Sequence, residues 1–143
     1  ILIKKDYKLA KPLIIYHTTN DKIKSKNVNL RLEFKLEENS SLRLIDLTKN
    51  LDYEDNLFDA IVCAGTFTCG HVGPEALLEM VRITKKGGYI CFTVRKQEWK
   101  VSPYKEIIDN LENSNLWHQV VHKTTEYNVK EGITCQLCLY QVI

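Results

Sequence analysis

Side chains suited to chemistry sit at four places in this 143-residue sequence. His71 lies in a loop of small residues, 66–73, and its near-neutral pKa suits it to orient or deprotonate a nucleophile. The plainer alternative is a loop histidine simply exposed to water. Thr93 and Arg95 close an apolar run, a position from which side chains line an acceptor pocket. The planar donor fork of Arg95 suits a carboxylate or a phosphate; otherwise it is an exposed charge at a strand end. Asp46 comes at the end of another short run. Ligands of open α/β sheets bind beyond the carboxyl ends of strands, but aspartate is also an ordinary turn residue there. Cys135 and Cys138 have a metal or redox spacing. Against that use there is no second CxxC, and strand alternation sends the two thiols to opposite faces. A structural zinc needs four clustered ligands. His17, His118 and His122 fall in strand-like runs and read as structural.

The elements that must position these residues are clearest between 58 and 95. The run FDAIVCA at 58–64 is short and almost wholly apolar, as in a parallel strand buried on both faces. Gly65 is expected to end it. Pro74 suits the opening of a helix, because its missing N–H would be unpaired in the first turn anyway. Leu77, Met80, Val81 and Thr84 recur at the spacing of one helical face. Lys85 and Lys86 suit the negative end of the helix dipole, and Gly87-Gly88 the turn after it. A second strand follows at 89–94. The unit is βαβ, with a right-handed crossover expected.

Before this unit the pattern is sparser. Residues 13–16 suit a strand, 30–36 alternate like a half-buried strand, 39–41 signal a turn, and 42–47 suit another strand. After it, 97–102 read as a polar loop carrying Trp99, and Pro103 opens a helix running to about Asn113. Residues 116–125 and 134–142 read as two strands around a turn at 128–132. Trp99 and Tyr104 serve equally well as pocket walls or as core aromatics.

With 44% hydrophobic and 27% charged residues, the chain has the composition of a single soluble domain. No apolar run is long enough to span a membrane, and the N-terminus lacks the order of a secretory signal. The odd count of five cysteines without such a signal favours reduced thiols and a cytoplasmic setting. Net charge is only +2, yet residues 1–35 hold nine Lys or Arg against three acids, and 36–59 hold two against seven. Two solvated faces explain this. A basic arm that touches nucleic acid or an acidic partner is the sharper reading, but no aromatic interleaving or nucleic-acid motif supports it.

In order and spacing, several pieces resemble the later half of a class I S-adenosylmethionine-dependent methyltransferase of the type 11 kind. They are LIDL at 44–47, YEDN at 53–56, Phe58-Asp59, and RITKKGG at 82–88. The loop CGHVGP at 69–74 and PYKE at 103–106 bring the chain closest to the methyltransferase-like 27 group. The resemblance covers residues 44–143. It implies an α/β, Rossmann-like sheet finished by a C-terminal antiparallel hairpin, with S-adenosyl-L-methionine as cofactor. It also implies that Asp46 accepts a hydrogen bond from the adenine amino group while the Leu47 N–H meets a ring nitrogen. Ala64, Gly65, Thr66 and Phe67 would lie against the cofactor, and Asp59 would fix the start of a strand away from the chemistry. His71 is then the candidate catalytic residue, and Thr93 and Arg95 the candidate acceptor-binding pair.

All six glycines lie at or after Gly65. The glycine-rich loop that such folds place after their first strand, where a Cβ would clash with the cofactor, is therefore missing. Residues 1–43 are expected to be a divergent segment, and 44–143 the methyltransferase-like domain of an N-terminally incomplete sheet. Two functions follow. One is methyl transfer to a small-molecule or protein acceptor. The other is a truncated, non-catalytic remnant acting as an interaction module, with a dimer through an unpaired sheet edge as its natural assembly.

Overall fold

Strand β2, Phe58–Phe67, is flanked by two parallel partners. The computed structural model describes residues 12–16, 46–67 and 72–143. On one side of β2 lies β1, Pro12–Tyr16, with Leu13 opposite Ile61 and Tyr16 opposite Ala64. On the other lies β3, Thr84–Arg95. The chain then returns through β4, Trp117–Asn128, and β5, Ile133–Val142, which pair antiparallel. Because β5 also pairs antiparallel with β3, the five described strands run in the order β1-β2-β3-β5-β4. The strand expected at 13–16 is thus present and docked, so the N-terminal segment does contribute to the sheet. The strand expected at 30–36, most of the one at 42–47, His17 and most of the basic segment lie outside the described residues.

Three α-helices lie among the described residues. Helix α1, Ala76–Ile83, buries Leu77, Met80 and Val81 as their spacing requires. Thr84, expected on the same face, instead begins β3, and its hydroxyl donates to the Met80 carbonyl at 2.6 Å. Helix α2, Lys96–Val101, takes the place of the expected polar loop. It buries no residue, so its sequence lacks the apolar face by which a helix is recognised. Helix α3, Tyr104–Asn113, begins just after Pro103, as expected, and buries Tyr104, Ile108 and Leu111.

Two further expectations are corrected. Gly65 does not end β2; the strand runs on to Phe67 through a register shift between Cys63 and Phe67. Gly65 supplies the shift with φ +72°, a left-handed conformation that costs glycine little. Nor is β2 buried on both faces. Ile61 and Cys63 are fully buried, while Val62 and Ala64 are exposed. Ile61 and Cys63 share one apolar cluster with Leu77 and Met80 of α1 and with Ile108 and Leu111 of α3. Trp117 closes that cluster at the start of β4, stacked on Tyr140 at 4.2 Å. Its indole N–H donates to the Ile108 carbonyl at 3.3 Å, so the largest buried side chain also satisfies its polar atom.

The segment leading into β2 is fastened to α1 by Arg82. Its guanidinium donates to the carbonyls of Leu51 and Tyr53 and to the carboxylates of Glu79 and Asp55. Glu79 in turn accepts from the Leu51 N–H at 2.7 Å. Asp59 pairs with Lys85 at 2.9 Å, consistent with a role at the start of the strand.

Candidate functional site

In an open sheet, the crevice for ligands lies beyond the carboxyl ends of the parallel strands. Here those ends are Tyr16 of β1, Ala64 to Phe67 of β2, and Thr93 to Arg95 of β3. Strand β4 runs in the same direction, because it is antiparallel to β5, which is antiparallel to β3. Register puts Arg95 opposite Cys135, and Cys135 opposite Thr125. Tyr127 therefore stands just beyond the level of Arg95, at the same end of the sheet.

Side-chain geometry confirms this convergence. The Gly65 N–H donates to the Thr93 hydroxyl at 3.2 Å, which joins two of the sequence-identified positions across adjacent strands. The Arg95 guanidinium lies 5.7 Å from the centre of the Tyr127 ring. Tyr127 also leans over β2, where a Cβ added to Gly65 would come within 2.9 Å of the phenol oxygen. Sequence reasoning missed Tyr127, because its place depends on a strand order that no local pattern encodes.

Thr66 is buried, and its hydroxyl makes no hydrogen bond of good geometry. The Cys63 thiol is near enough to feel that hydroxyl, but sulfur is a weak partner. Burial dominates at Cys63 and pushes its thiol up to about 11. Phe67 is fully buried against Phe92 and Tyr104, with ring centres 5.8 and 5.6 Å away, so its side chain belongs to the core. Leu47 is likewise a core side chain.

Asp46 is exposed and closes a local turn. It accepts from the Thr48 hydroxyl at 2.6 Å and the Thr48 N–H at 3.0 Å, and pairs with Lys49 at 3.3 Å. These contacts, led by the Thr48 hydroxyl, hold its carboxyl below the ordinary value. Asp46 and Leu47 are not part of a strand. His71 and Cys69 lie outside the described residues.

Tyr104 is wholly buried and its hydroxyl donates to the Val72 carbonyl at 3.2 Å, which makes it a core residue that ties down the end of the loop. Trp99 is half-buried, stacked on Tyr104 and edge-on to His122 at 5.0 Å. It borders a shallow open groove of about 550 Å³ with Pro103, Lys105 and Asp109. His118 and His122 are exposed on β4, and His122 pairs with Gln136. Cys135 and Cys138 are both buried, and Cys138 alone joins the main cluster. Among the described residues no three His, Cys, Asp or Glu side chains are grouped to hold a metal ion. Nor, among them, is any helix long and apolar enough to cross a membrane.

Comparison with solved structures places this arrangement. The [4+2]-cyclase SpnF is similar over 92% of this chain and 67% of its own, with a TM-score of 0.62 at 10% identity. The N-methyltransferase NodS from Bradyrhizobium japonicum matches over 92% of this chain and 73% of its own, with a TM-score of 0.60 at 18% identity. A second NodS structure, in complex with S-adenosyl-L-homocysteine, matches at a TM-score of 0.59, 16% identity, and coverage of 92% and 66%. At such identities the likeness establishes the fold, and the cyclase among the neighbours shows that the fold alone does not fix the reaction. No curated protein sequence matches the chain. The family model described as "Methyltransferase domain" matches residues 15–92, from the end of β1 through β2 and α1 to Phe92 of β3. With more than half its length matched by that model, the chain belongs to the methyltransferase domain family.

Proposed function

We propose that the chain is an S-adenosyl-L-methionine-dependent methyltransferase acting on a small-molecule or protein acceptor. The observation that carries this reading is the family match, which spans the residues building the carboxyl ends of β1 and β2. The local chemistry fits the cofactor. The buried Thr66 hydroxyl, with only the weak Cys63 thiol near it, lies at the end of β2 beside the crevice. Exposed Ala64 beside the end of β1 leaves room for the ligand's close approach.

When bound, the cofactor supplies a methyl carbon activated by a positively charged sulfur. What remains for the protein is alignment and the exclusion of water, so no catalytic base is demanded. Ala64 to Phe67 form the floor of the crevice in this reading, Asp46 and the Leu47 N–H meet the adenine, and Thr93 and Arg95 face the acceptor. His71 is the proposed orienting group or base for the acceptor nucleophile. Membership of the methyltransferase-like 27 group and a cytoplasmic setting belong to the same proposal.

One set of observations favours a second reading, a non-catalytic remnant serving as an interaction module. No glycine precedes Gly65, and the Asp46 carboxylate is engaged in its own turn. Calorimetric titration with S-adenosylmethionine and S-adenosylhomocysteine separates the two. Micromolar binding that weakens in Thr66→Val and Asp46→Ala supports the enzyme. A folded chain that gives no heat and no thermal stabilisation with either compound rejects it in favour of the remnant. The remnant also calls for self-association, for which β1 and β4 are the outer strands among the described residues, and sedimentation measures that directly.

A further inference from the structure

The geometry points to an oxyanion-binding subsite made by Arg95 and Tyr127, and we infer that the methyl acceptor carries a carboxylate or phosphate group. The inference rests on the methyltransferase reading for the word acceptor, but the subsite itself stands on its own geometry. Arg95 is half-buried at the carboxyl end of β3, one strand from Gly65. Among the described residues, none accepts from its five N–H donors and no carboxylate pairs with it; its one contact there is with the Tyr127 ring. A guanidinium with no acid beside it among the described residues keeps its planar fork of donors available to a carboxylate or phosphate.

What holds Arg95 is the Tyr127 ring, 5.7 Å from the guanidinium carbon. A cation over a ring face gains attraction without using its in-plane donors. Tyr127 thereby fixes the guanidinium while leaving the fork open for a bidentate anion. Tyr127 is itself exposed, and its phenol oxygen is poised over Gly65. Thr93 is committed to the Gly65 N–H, which fixes the end of β2 against that of β3. An acid group bound to Arg95 would thus sit at the carboxyl end of β3, one strand from the end of β2. Tyr127 acts here as a positioning residue, and Arg95 as the binding residue.

The test follows the Arg95 Nε–Hε and Gly65 amide resonances of the full chain by NMR during titration with benzoate and, separately, phenyl phosphate. Both signals should move saturably with at least one probe. Arg95→Gln should weaken binding about tenfold or more, and Arg95→Lys by less, because charge remains while the fork is lost. Tyr127→Leu should broaden the Arg95 signal and weaken binding with the fold kept, as judged by the unchanged resonances of β5. A response to benzoate alone assigns a carboxylate acceptor, and one to phenyl phosphate alone assigns a phosphate. An Arg95 signal indifferent to both probes overturns the subsite, as does equal binding by Arg95→Gln. Response to an anion without any binding of S-adenosylhomocysteine would reject the methyl-transfer reading while leaving the subsite in place.

Discussion

The backbone N–H of Gly65 donates to the hydroxyl of Thr93 at 3.2 Å, so a side chain of β3 completes the hydrogen bonding of β2 where that strand shifts register. The two positions were separate candidates in the sequence, one for cofactor and one for acceptor. In the fold they are a single joint. Thr93→Val should cost about 1 kcal/mol by leaving that N–H without its side-chain acceptor. Gly65→Ala should cost about 1–2 kcal/mol for the left-handed backbone alone and should displace Tyr127 as well. Urea denaturation of both variants measures this, and a Gly65→Ala as stable as the parent would contradict the strand geometry.

Arg82 is the clasp between α1 and the segment before β2. Arg82→Ala should destabilise the chain by about 2 kcal/mol, since charge-assisted bonds to two carboxylates and two carbonyls vanish together. The clasp also makes stability depend on acid. The hydrogen bond from Arg82 holds the Glu79 carboxyl below its ordinary value of 4.5. For a carboxyl lowered on folding, the stabilisation is complete above the unfolded value and is lost as pH falls through the folded one. Thermal melts between pH 6 and pH 3 should therefore fall less steeply for Glu79→Gln than for the parent, and parallel curves would contradict the assignment.

Burial controls the thiols. It pushes Cys63 up to about 11 and Cys138 up to about 12, so neither is a thiolate at neutral pH. Iodoacetamide at pH 8 should leave both unmodified in the native chain, with half-buried Cys91 reacting before either. In urea all should react, and peptide mass mapping reads each site. Native labelling of Cys138 at the rate seen in urea would show that β5 is not covered as described.

Trp117→Ala should cost about 3–5 kcal/mol, the range for removing a fully buried large aromatic. Phe92 and Tyr140 lose their stacking partner, and the Ile108 carbonyl loses its donor. Denaturant titration gives the number. Near-ultraviolet circular dichroism should lose the signature of the stacked rings.

Where sequence pattern is local and strong, it found the structure. The apolar run at 58–64, the helix after Pro103 and the C-terminal hairpin all stand close to their expected bounds. The misses have physical causes. Gly65 reads as a terminator because glycine usually breaks strands, yet here it lets β2 continue through a shift. Helix α2 is six residues long and buries none of them, so periodicity had nothing to detect. Of the candidate site, Gly65, Thr93 and Arg95 were legible because they end apolar runs. Tyr127 was not, since only the pairing of β3 with β5 and of β5 with β4 brings it over Gly65.

The mixed sheet also sets an order of assembly. Strands β4 and β5 are joined by one short 3₁₀ turn, Val129–Glu131, so their hairpin closes a small loop, an event of microseconds. Strand β1 must instead find Ala60 from Pro12 across a long intervening chain, and such non-local pairings form slowly. The crevice between β1 and β2 is then expected to be built last and to open first. Amide exchange should show this as protection in β5 that outlives protection in β1, leaving a folded C-terminal framework on which a ligand could lock the final strand in place.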